Sequence, residues 1–140
     1  MTLYEQLGGE APLRAILTDF YRRVFADPMI GYLFTGHDPA RLVELEFQLT
    51  AKMLGGPVEY TGRSIRAAHE KHPIRRGHFH RRNAILQETL AAHGAPAAVV
   101  EAWMGHARAL ERAVLSSAAR ADAACDRDVE PRDAGVVVYR

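Results

Sequence analysis

The chain has 140 residues, of which 48% are hydrophobic and 25% charged, and its formal net charge is +1. This length suits one globular domain with its own core, and the charge balance argues against nucleic-acid or membrane binding through bulk electrostatics. A single cysteine, Cys125, excludes an intramolecular disulfide. Because the sequence shows neither a signal-peptide pattern nor an apolar run of roughly 18 residues, we expect a cytoplasmic protein.

The first predicted element is an amphipathic helix over residues 11–25. Pro12 is compatible with its first turn. A short helical turn is predicted to begin at Pro28 and to end near Phe34, because Gly36 follows. The apolar residues of the first helix recur at helical spacing and form one face, which consists of Leu13, Ile16, Leu17, Phe20, Tyr21 and Val24.

The next helix is predicted to begin after Asp38, whose side chain can cap it, with Pro39 at the first helical position. A glycine-rich loop follows at 54–62, and a short helix is predicted around 64–69. The apolar stripe of the capped helix consists of Leu42, Leu45, Leu49 and Met53.

Two longer helices are predicted in the second half of the chain. One covers about residues 75–92 and ends at His93 and Gly94, and Pro96 starts the other. Their apolar residues are Phe79, Leu86 and Leu90 in the first and Val99, Val100, Trp103, Leu110 and Val114 in the second.

The residues after position 117 differ in composition from the rest. AARADAACDRDVEPRDAG mixes small residues with charges of both signs and has no apolar stripe. We therefore divide the chain into an all-α domain at 1–117 and a C-terminal tail at 118–140, whose order the sequence does not indicate. The final GVVVYR is apolar enough to dock as an added strand or at a subunit contact, and a frayed end is the alternative.

Four of the seven histidines lie between residues 69 and 80, namely His69, His72, His78 and His80. His69 and His72 are about one helical turn apart, which leaves a two-histidine metal site open, although no third ligand at helical spacing completes it. His78 and His80 begin the next predicted helix, and we expect both at the surface or at the rim of a site.

Five sequence motifs occur along the chain in this order: LYEQLGG (3–9), DFYRRVFADPMIGYLF (19–34), LGGPVEYTGR (54–63), RAAH (66–69) and HGAP (93–96). In this order they resemble the truncated haemoglobins, most strongly group I, over about residues 3–115. The spacing of His69 and Pro73 is also similar to group II. The resemblance implies a two-over-two helical sandwich that holds haem b.

The resemblance also implies roles for particular residues. YTGRSIRAAH matches the segment that carries the iron ligand, so His69 is the predicted metal ligand. Its second ring nitrogen would then need an acceptor to fix the ring. Phe20 and Tyr21 match a pair whose tyrosine donates a hydrogen bond to the iron-bound ligand; a core aromatic bonded to a carbonyl is the alternative. Phe34 matches the phenylalanine that packs flat on the haem, and Leu42 matches an apolar gate position.

Two charged residues depart from the family pattern. An ungapped alignment from Phe34 to Gly56 places Glu46 where relatives often have glutamine. Arg82 aligns with a position that is apolar or tryptophan in relatives. A buried carboxylate is costly unless it is paired. We therefore predict a Glu46–Arg82 pair, or a network that includes Tyr21, beside the haem. The alternative is that helix rotation sends both charges to solvent.

Further haem contacts are predicted by the same resemblance. Phe79 lies on the same helix face as Arg82 and is counted among the residues that bind the cofactor. Leu45 stands where group I relatives often place a basic residue that meets a haem propionate. Tyr60 and Arg63 are the predicted substitutes, and the further candidates are Arg41, Arg66, Arg75 and Arg76.

Three functions follow from these residues. The first is reversible binding of O2, NO or CO, which the resemblance extends to NO dioxygenation or peroxidase-like redox chemistry. The chain has no flavin or nicotinamide motif, so such chemistry would need a separate reductase. The second is a dedicated haem enzyme that uses Glu46 as acid or base on a small substrate. The third, a haem-free globin used for interaction, is disfavoured because Tyr21 and His69 are both present. Either a monomer or a homodimer is compatible with the sequence.

Overall fold

The computed structural model describes residues 1–62 and 75–123, with side chains in the last helix described as far as Arg112. This part of the chain is helical and contains no strand. In chain order the elements are α1 (Leu3–Leu7), α2 (Glu10–Ala26), a 3-10 helix (Gly31–Phe34), α3 (Pro39–Met53), α4 (Arg76–Ala92) and α5 (Ala97–Ala123). The all-α fold class is confirmed.

Local sequence signals explain where the helices begin. The Asp38 side chain accepts a hydrogen bond from the Ala40 N–H at 3.0 Å, as predicted for the start of α3. Helix α1 was not predicted, because five residues are too few for a periodic pattern. Its signal is a capping box, in which Thr2 and Glu5 each accept the other's backbone N–H.

The C-terminal half agrees with the predicted helices and differs at its end. Helix α4 begins one residue later than predicted, and α5 starts directly after Pro96. Helix α5 continues to Ala123 and so passes the predicted boundary at residue 117. The short helix predicted at 64–69 and the apolar GVVVYR segment lie outside the described residues.

Helix α2 occupies the centre of the fold, because it packs against both α3 and α4, while α4 packs in turn against α5. All of its predicted apolar face is buried. A fully buried side chain such as Phe20 contributes about 2–3 kcal/mol relative to exposure. Residues 20 and 21 of this central helix therefore lie where α3 and α4 meet it. No helix in the described ranges has the length and apolarity needed to cross a membrane.

Candidate functional site

A buried ion pair joins α3 to α4. The Nη2 atom of Arg82 lies 3.1 Å from Oε1 of Glu46, and the two side chains are 10% and 5% exposed. The Arg82 guanidinium also lies 5.1 Å from the centre of the Phe20 ring on α2, within cation–π range. The two departures from the family pattern thus meet as the pairing hypothesis predicts, and neither turns to solvent.

Tyr21 lies beside this pair and is 2% exposed. Its ring packs edge-on against Phe20 and Phe34, with ring centres 5.1 and 6.3 Å apart. Burial raises the pKa of the Tyr21 phenol well above its usual value, and the negative charge of Glu46 raises it further, while Arg82 acts in the opposite direction. The phenol is therefore protonated at neutral pH and available as a hydrogen-bond donor.

The Tyr21 hydroxyl makes no hydrogen bond to any residue in the described part of the chain. The alternative interpretation of Tyr21, a core aromatic bonded to a carbonyl, finds no acceptor there. A buried donor without a partner costs about 1–3 kcal/mol. Such a group in the centre of a fold points to a bound molecule that accepts its hydrogen bond.

Apolar side chains predicted to contact the cofactor are buried in the same core as Tyr21. Phe34, Leu42 and Phe79 are 4%, 1% and 3% exposed. They come from the 3-10 helix, α3 and α4 respectively. Their burial fits both a haem-contacting role and an ordinary core role, so the predicted contacts of these three residues remain predictions.

The turn that carries Phe34 is held by Asp27, directly after α2. One Asp27 oxygen accepts the backbone N–H groups of Met29 and Ile30 at 3.0 and 3.1 Å. The other accepts hydrogen bonds from Arg81 of α4, with Nε at 2.8 Å and Nη2 at 2.7 Å. The Arg81 hydrogen bond lowers the pKa of Asp27 in spite of burial. Asp27 thereby fixes the 3-10 helix against α4.

A second anchor holds the loop that precedes the predicted iron ligand. Oε1 of Gln48 on α3 accepts the Thr61 N–H at 2.8 Å and the Thr61 hydroxyl at 3.1 Å. Gly62 lies directly against the Tyr60 hydroxyl and Leu45, so that a larger residue would clash there. Tyr60 itself is partly buried against the core. The chain is therefore tied to α3 just before residue 63.

Two predicted site residues, His69 and Arg63, lie outside the described residues, and so do His72 and the propionate candidate Arg66. Their predicted roles therefore stay predictions. Among the residues that the structure does describe, no group of three histidine, cysteine, aspartate or glutamate side chains could hold a metal ion. Of the other candidates for haem propionates, Arg41, Arg75 and Arg76 are exposed.

The sequence analysis did not single out two buried polar residues at the ion pair. Nη1 of Arg82 donates to Oδ1 of Asn83 at 3.1 Å, and Asn83 donates to Glu111 of α5 at 3.4 Å. A signal for both was present. Asn83 lies four residues after Phe79, and Glu111 four residues after Ala107, so each is a polar residue on an apolar helical stripe.

Comparison with known proteins identifies the class to which this helical arrangement belongs. The sequence model of the family described as bacterial-like globin matches residues 2–116, and the chain therefore belongs to the bacterial-like globins. A group 1 truncated haemoglobin of Mycolicibacterium paratuberculosis is 33% identical over 104 residues, which are 74% of this chain and 76% of the relative. A group 1 truncated haemoglobin of Tetrahymena pyriformis is 34% identical over 91 residues, or 65% and 72% of the two chains.

Solved structures agree with this family. The ferric form of a tyrosine-to-phenylalanine variant of the Tetrahymena pyriformis truncated haemoglobin superposes with a TM-score of 0.69 at 30% identity, covering 77% of this chain and 95% of that one. The 2/2 haemoglobin of a Synechococcus species, in a cyanomet state with covalently attached haem, gives 0.66 at 28% identity, with 72% and 85% covered. The predicted truncated haemoglobin fold, its two-over-two helical sandwich and haem as the cofactor are thereby confirmed.

The residues at the centre of the fold fit a haem. Ligand sites are mostly apolar with a few well-placed polar groups. Phe34, Leu42 and Phe79 supply buried apolar surface, and the Tyr21 hydroxyl supplies a protonated donor with no acceptor among the described residues. A diatomic ligand of the haem would provide that acceptor.

Proposed function

We propose that this truncated globin reversibly binds O2, NO or CO at a haem held by His69, and that Tyr21 donates a hydrogen bond to the ligand. The haem iron supplies the ligand-binding chemistry, while the protein sets access and polarity. The observation that carries the proposal is the buried Tyr21 hydroxyl, which keeps its proton and has no acceptor in the described part of the chain.

The Glu46–Arg82 pair supports this role electrostatically. The negative charge of Glu46 stabilises the proton of Tyr21, since it raises the pKa of the phenol. Arg82 compensates the carboxylate at 3.1 Å, so that the charge can stay buried. In this proposal Glu46 adds to the effect of burial in favouring the protonated phenol of Tyr21, and Arg82 keeps Glu46 in place.

The remaining predicted residues would hold the cofactor. Phe34 and Phe79 would pack against the porphyrin, and Leu42 would form an apolar gate beside the ligand. Tyr60 and Arg63 would meet the propionates, since a phenol and a guanidinium both donate to carboxylates and the guanidinium matches their geometry. Support for Tyr60 comes from its position against Gly62, at the end of the loop that is tied to α3 by Gln48.

The proposal extends to removal of NO. The reaction would combine NO with O2 to give nitrate, and one electron per turnover from a separate reductase would return the iron to the ferrous state. Its support is the family to which the chain belongs. The electron is assigned to a separate reductase because the sequence shows no flavin or nicotinamide motif. Stoichiometric nitrate formation from NO by the reduced, O2-exposed protein would test it, and no nitrate above a buffer control would exclude it.

A dedicated enzyme that uses Glu46 as acid or base is less well supported. The Arg82 guanidinium contacts Glu46 directly and stabilises the ionised carboxylate, which opposes proton donation by it. Peroxidase-like turnover that collapsed in Glu46→Gln while O2 dissociation barely changed would reverse this preference.

The decisive experiment compares absorbance and O2 release in matched variants. The purified protein is expected to show a Soret band, and His69→Ala to lose most of it. Tyr21→Phe should raise the O2 dissociation rate at least about tenfold, because a hydrogen bond in an apolar site is lost. The exposed Tyr32 offers a matched control, and Tyr32→Phe should leave the rate unchanged. An unchanged rate in Tyr21→Phe would refute the proposed role of Tyr21.

A further inference from the structure

The two terminal nitrogens of Arg82 are held by different partners. Nη2 donates to Oε1 of Glu46 and Nη1 donates to Oδ1 of Asn83, each at 3.1 Å. Arg82 and Asn83 are only 9% and 8% exposed. A guanidinium is a planar fork, so that holding both terminal nitrogens fixes the rotation of the whole plane. Asn83 thus holds Nη1, the terminal nitrogen of Arg82 that does not bond Glu46.

Asn83 connects Arg82 to the last helix. Its Nδ2 donates to Oε2 of Glu111 at 3.4 Å, and the Glu111 side chain is 12% exposed. A guanidinium only donates and a carboxylate only accepts. One amide orientation therefore satisfies both neighbours, with the oxygen toward Arg82 and the nitrogen toward Glu111. Asn83 therefore links the buried Arg82 cation to the Glu111 carboxylate on α5 through two hydrogen bonds.

The outer end of this chain of contacts reaches the surface. Oε1 of Glu111 lies 3.0 Å from Nε2 of His80, whose side chain is 65% exposed. With one oxygen on His80 and the other on Asn83, the Glu111 carboxylate is restrained from both sides. The contacts run without interruption from Glu46 through Arg82, Asn83 and Glu111 to His80.

Among the described residues, two further titratable side chains, His106 and Tyr21, interact electrostatically with Arg82. His106, also on α5, has a lowered pKa because of burial and then because of the positive charge of Arg82. The neutral imidazole is therefore favoured beside Arg82. Tyr21 stays protonated. In the described part of the chain, Glu46 of α3 thus bonds this cation directly and Glu111 of α5 is linked to it through Asn83.

We propose that Glu111, acting through Asn83, is a positioning residue for Arg82. Glu111 orients the Asn83 amide, the amide holds Nη1, and Nη2 consequently stays on Glu46 beside Tyr21. The inference rests on the proposed function, in which Tyr21 donates to the haem ligand beside this pair. An arginine side chain loses rotamer entropy when it is fixed, and a preformed support from α5 keeps it in place before a ligand arrives.

The first test measures the Arg82 guanidinium directly. In the haem-loaded, CO-bound protein, which is diamagnetic, rotation about the Arg82 Cζ–N bonds is followed by 15N-resolved NMR, with Arg82→Lys to assign the signals. Glu111→Ala and Asn83→Ala should speed this rotation roughly threefold to tenfold, as expected for one lost hydrogen bond. Glu111→Gln keeps an acceptor for Asn83 and should restore slow rotation. Glu101→Ala, an exposed position on the same helix, is the matched control.

The second test measures O2 dissociation in the same variants. Glu111→Ala should change the rate in the same direction as Arg82→Met, and Glu111→Gln should return it toward the unmodified value. Unchanged rotation and dissociation in both Glu111→Ala and Asn83→Ala, with Tyr21→Phe still raising dissociation, would overturn the inference and leave the proposed function standing. Glu111→Gln behaving like Glu111→Ala would also overturn it. If Tyr21→Phe has no effect, the proposed function fails, and the rotation measurement alone decides the role of Glu111.

Discussion

Arg82 and Glu46 are buried in a core that is otherwise mostly apolar. Taking both ions out of water costs several kcal/mol each, and their attraction together with further hydrogen bonds must offset that cost. The contacts of Arg82 with Asn83 and the Phe20 ring supply part of this compensation. The pair is therefore weak support for stability and stronger support for a function that needs a charge in this place.

Arg82→Met should destabilise the protein by about 3–5 kcal/mol, because it leaves the Glu46 carboxylate buried without its partner. The double variant Glu46→Leu/Arg82→Met should recover most of that loss, since no unpaired charge remains. Urea unfolding of the haem-free proteins measures both values. The exposed Arg108 provides the control, and Arg108→Met should change the unfolding free energy by less than about 0.5 kcal/mol. A double variant no more stable than Arg82→Met would contradict this account.

Glu46 and Arg82 could be predicted from the sequence as a pair. The hydrogen bonds by which Asn83 and Glu111 hold Arg82 could not. Glu46 and Arg82 stand out because each places a charge on an apolar stripe. Asn83 and Glu111 stand on such stripes too, but which polar groups meet depends on the crossing of α4 and α5. Helix periodicity carries no information about that crossing.

Asp27 shows how one side chain connects three elements. It ends α2, orders the turn before the 3-10 helix and bonds Arg81 of α4. Gly31 is required in that turn, because a Cβ atom there would lie 2.6 Å from the backbone oxygen of Phe25. The position of Phe34 against Tyr21 follows from these contacts.

Asp27→Ala should destabilise the protein by about 2–3 kcal/mol, since a buried carboxylate and its charge-assisted hydrogen bonds are lost. If Phe34 packs on the haem as proposed, the Soret band should also shift or broaden, because the 3-10 helix that carries Phe34 is no longer fixed. Thermal unfolding and absorbance of the haem-loaded protein test the two effects. Gln87→Ala, at an exposed position of α4, should alter neither. A loss below about 0.5 kcal/mol would show that Arg81 and Asp27 contribute little.

A second contact between elements makes stability depend on pH. Burial alone would raise the pKa of Asp19 on α2, but hydrogen bonds from His93, Arg23 and Arg22 outweigh it and lower the pKa to about 2. His93 directly follows α4 and lies 2.9 Å from Asp19. Because the folded pKa is below the unfolded value of about 4, this contribution is present above pH 4 and is lost as the pH falls to about 2.

The expected contribution of Asp19 at neutral pH is about 2 kcal/mol. The difference in unfolding free energy between the unmodified protein and Asp19→Asn should therefore shrink from about that value to near zero between pH 4 and pH 2. Other carboxylates with lowered pKa values, such as Asp27 and Glu44, occur in both proteins and cancel in the difference. A difference that does not vary over this range would show that the His93 and arginine contacts do not stabilise the ionised carboxylate.

The long helices could be predicted from the sequence because each contains several repeats of its amphipathic pattern. The predicted starts of α2 and α4 each differ from the structure by one residue. Helix α1 was missed because its five residues end before a period can repeat, although its capping box was readable from Thr2 and Glu5. The anchoring of Thr61 by Gln48 was beyond reach, because it joins a loop to a helix 13 residues earlier.

For the whole molecule, order of motifs was more informative than composition. An all-α chain with a glycine-rich loop is compatible with many folds. Five sequence motifs in the order of the truncated haemoglobins define one of these folds. The family match over residues 2–116 agrees with the range of about 3–115 over which the motifs resemble that family. Glu46 and Arg82, which are particular to this chain, lie outside those motifs. For this reason the fold was easier to predict than the roles of these two residues.

Helix α5 passes the domain boundary predicted at residue 117 and runs to Ala123. The family match, by contrast, ends at residue 116. We expect a chain of residues 1–123 to bind haem with the Soret band of the full chain, because every contact described at the site comes from residues up to 112. A chain of residues 1–117 should also fold, with a small loss of stability from the shortened helix, on the order of 1 kcal/mol. Haem titration and thermal unfolding of both truncated chains test this. Failure of the 1–123 chain to bind haem would show that residues 124–140 belong to the functional domain, against the proposed division of the chain.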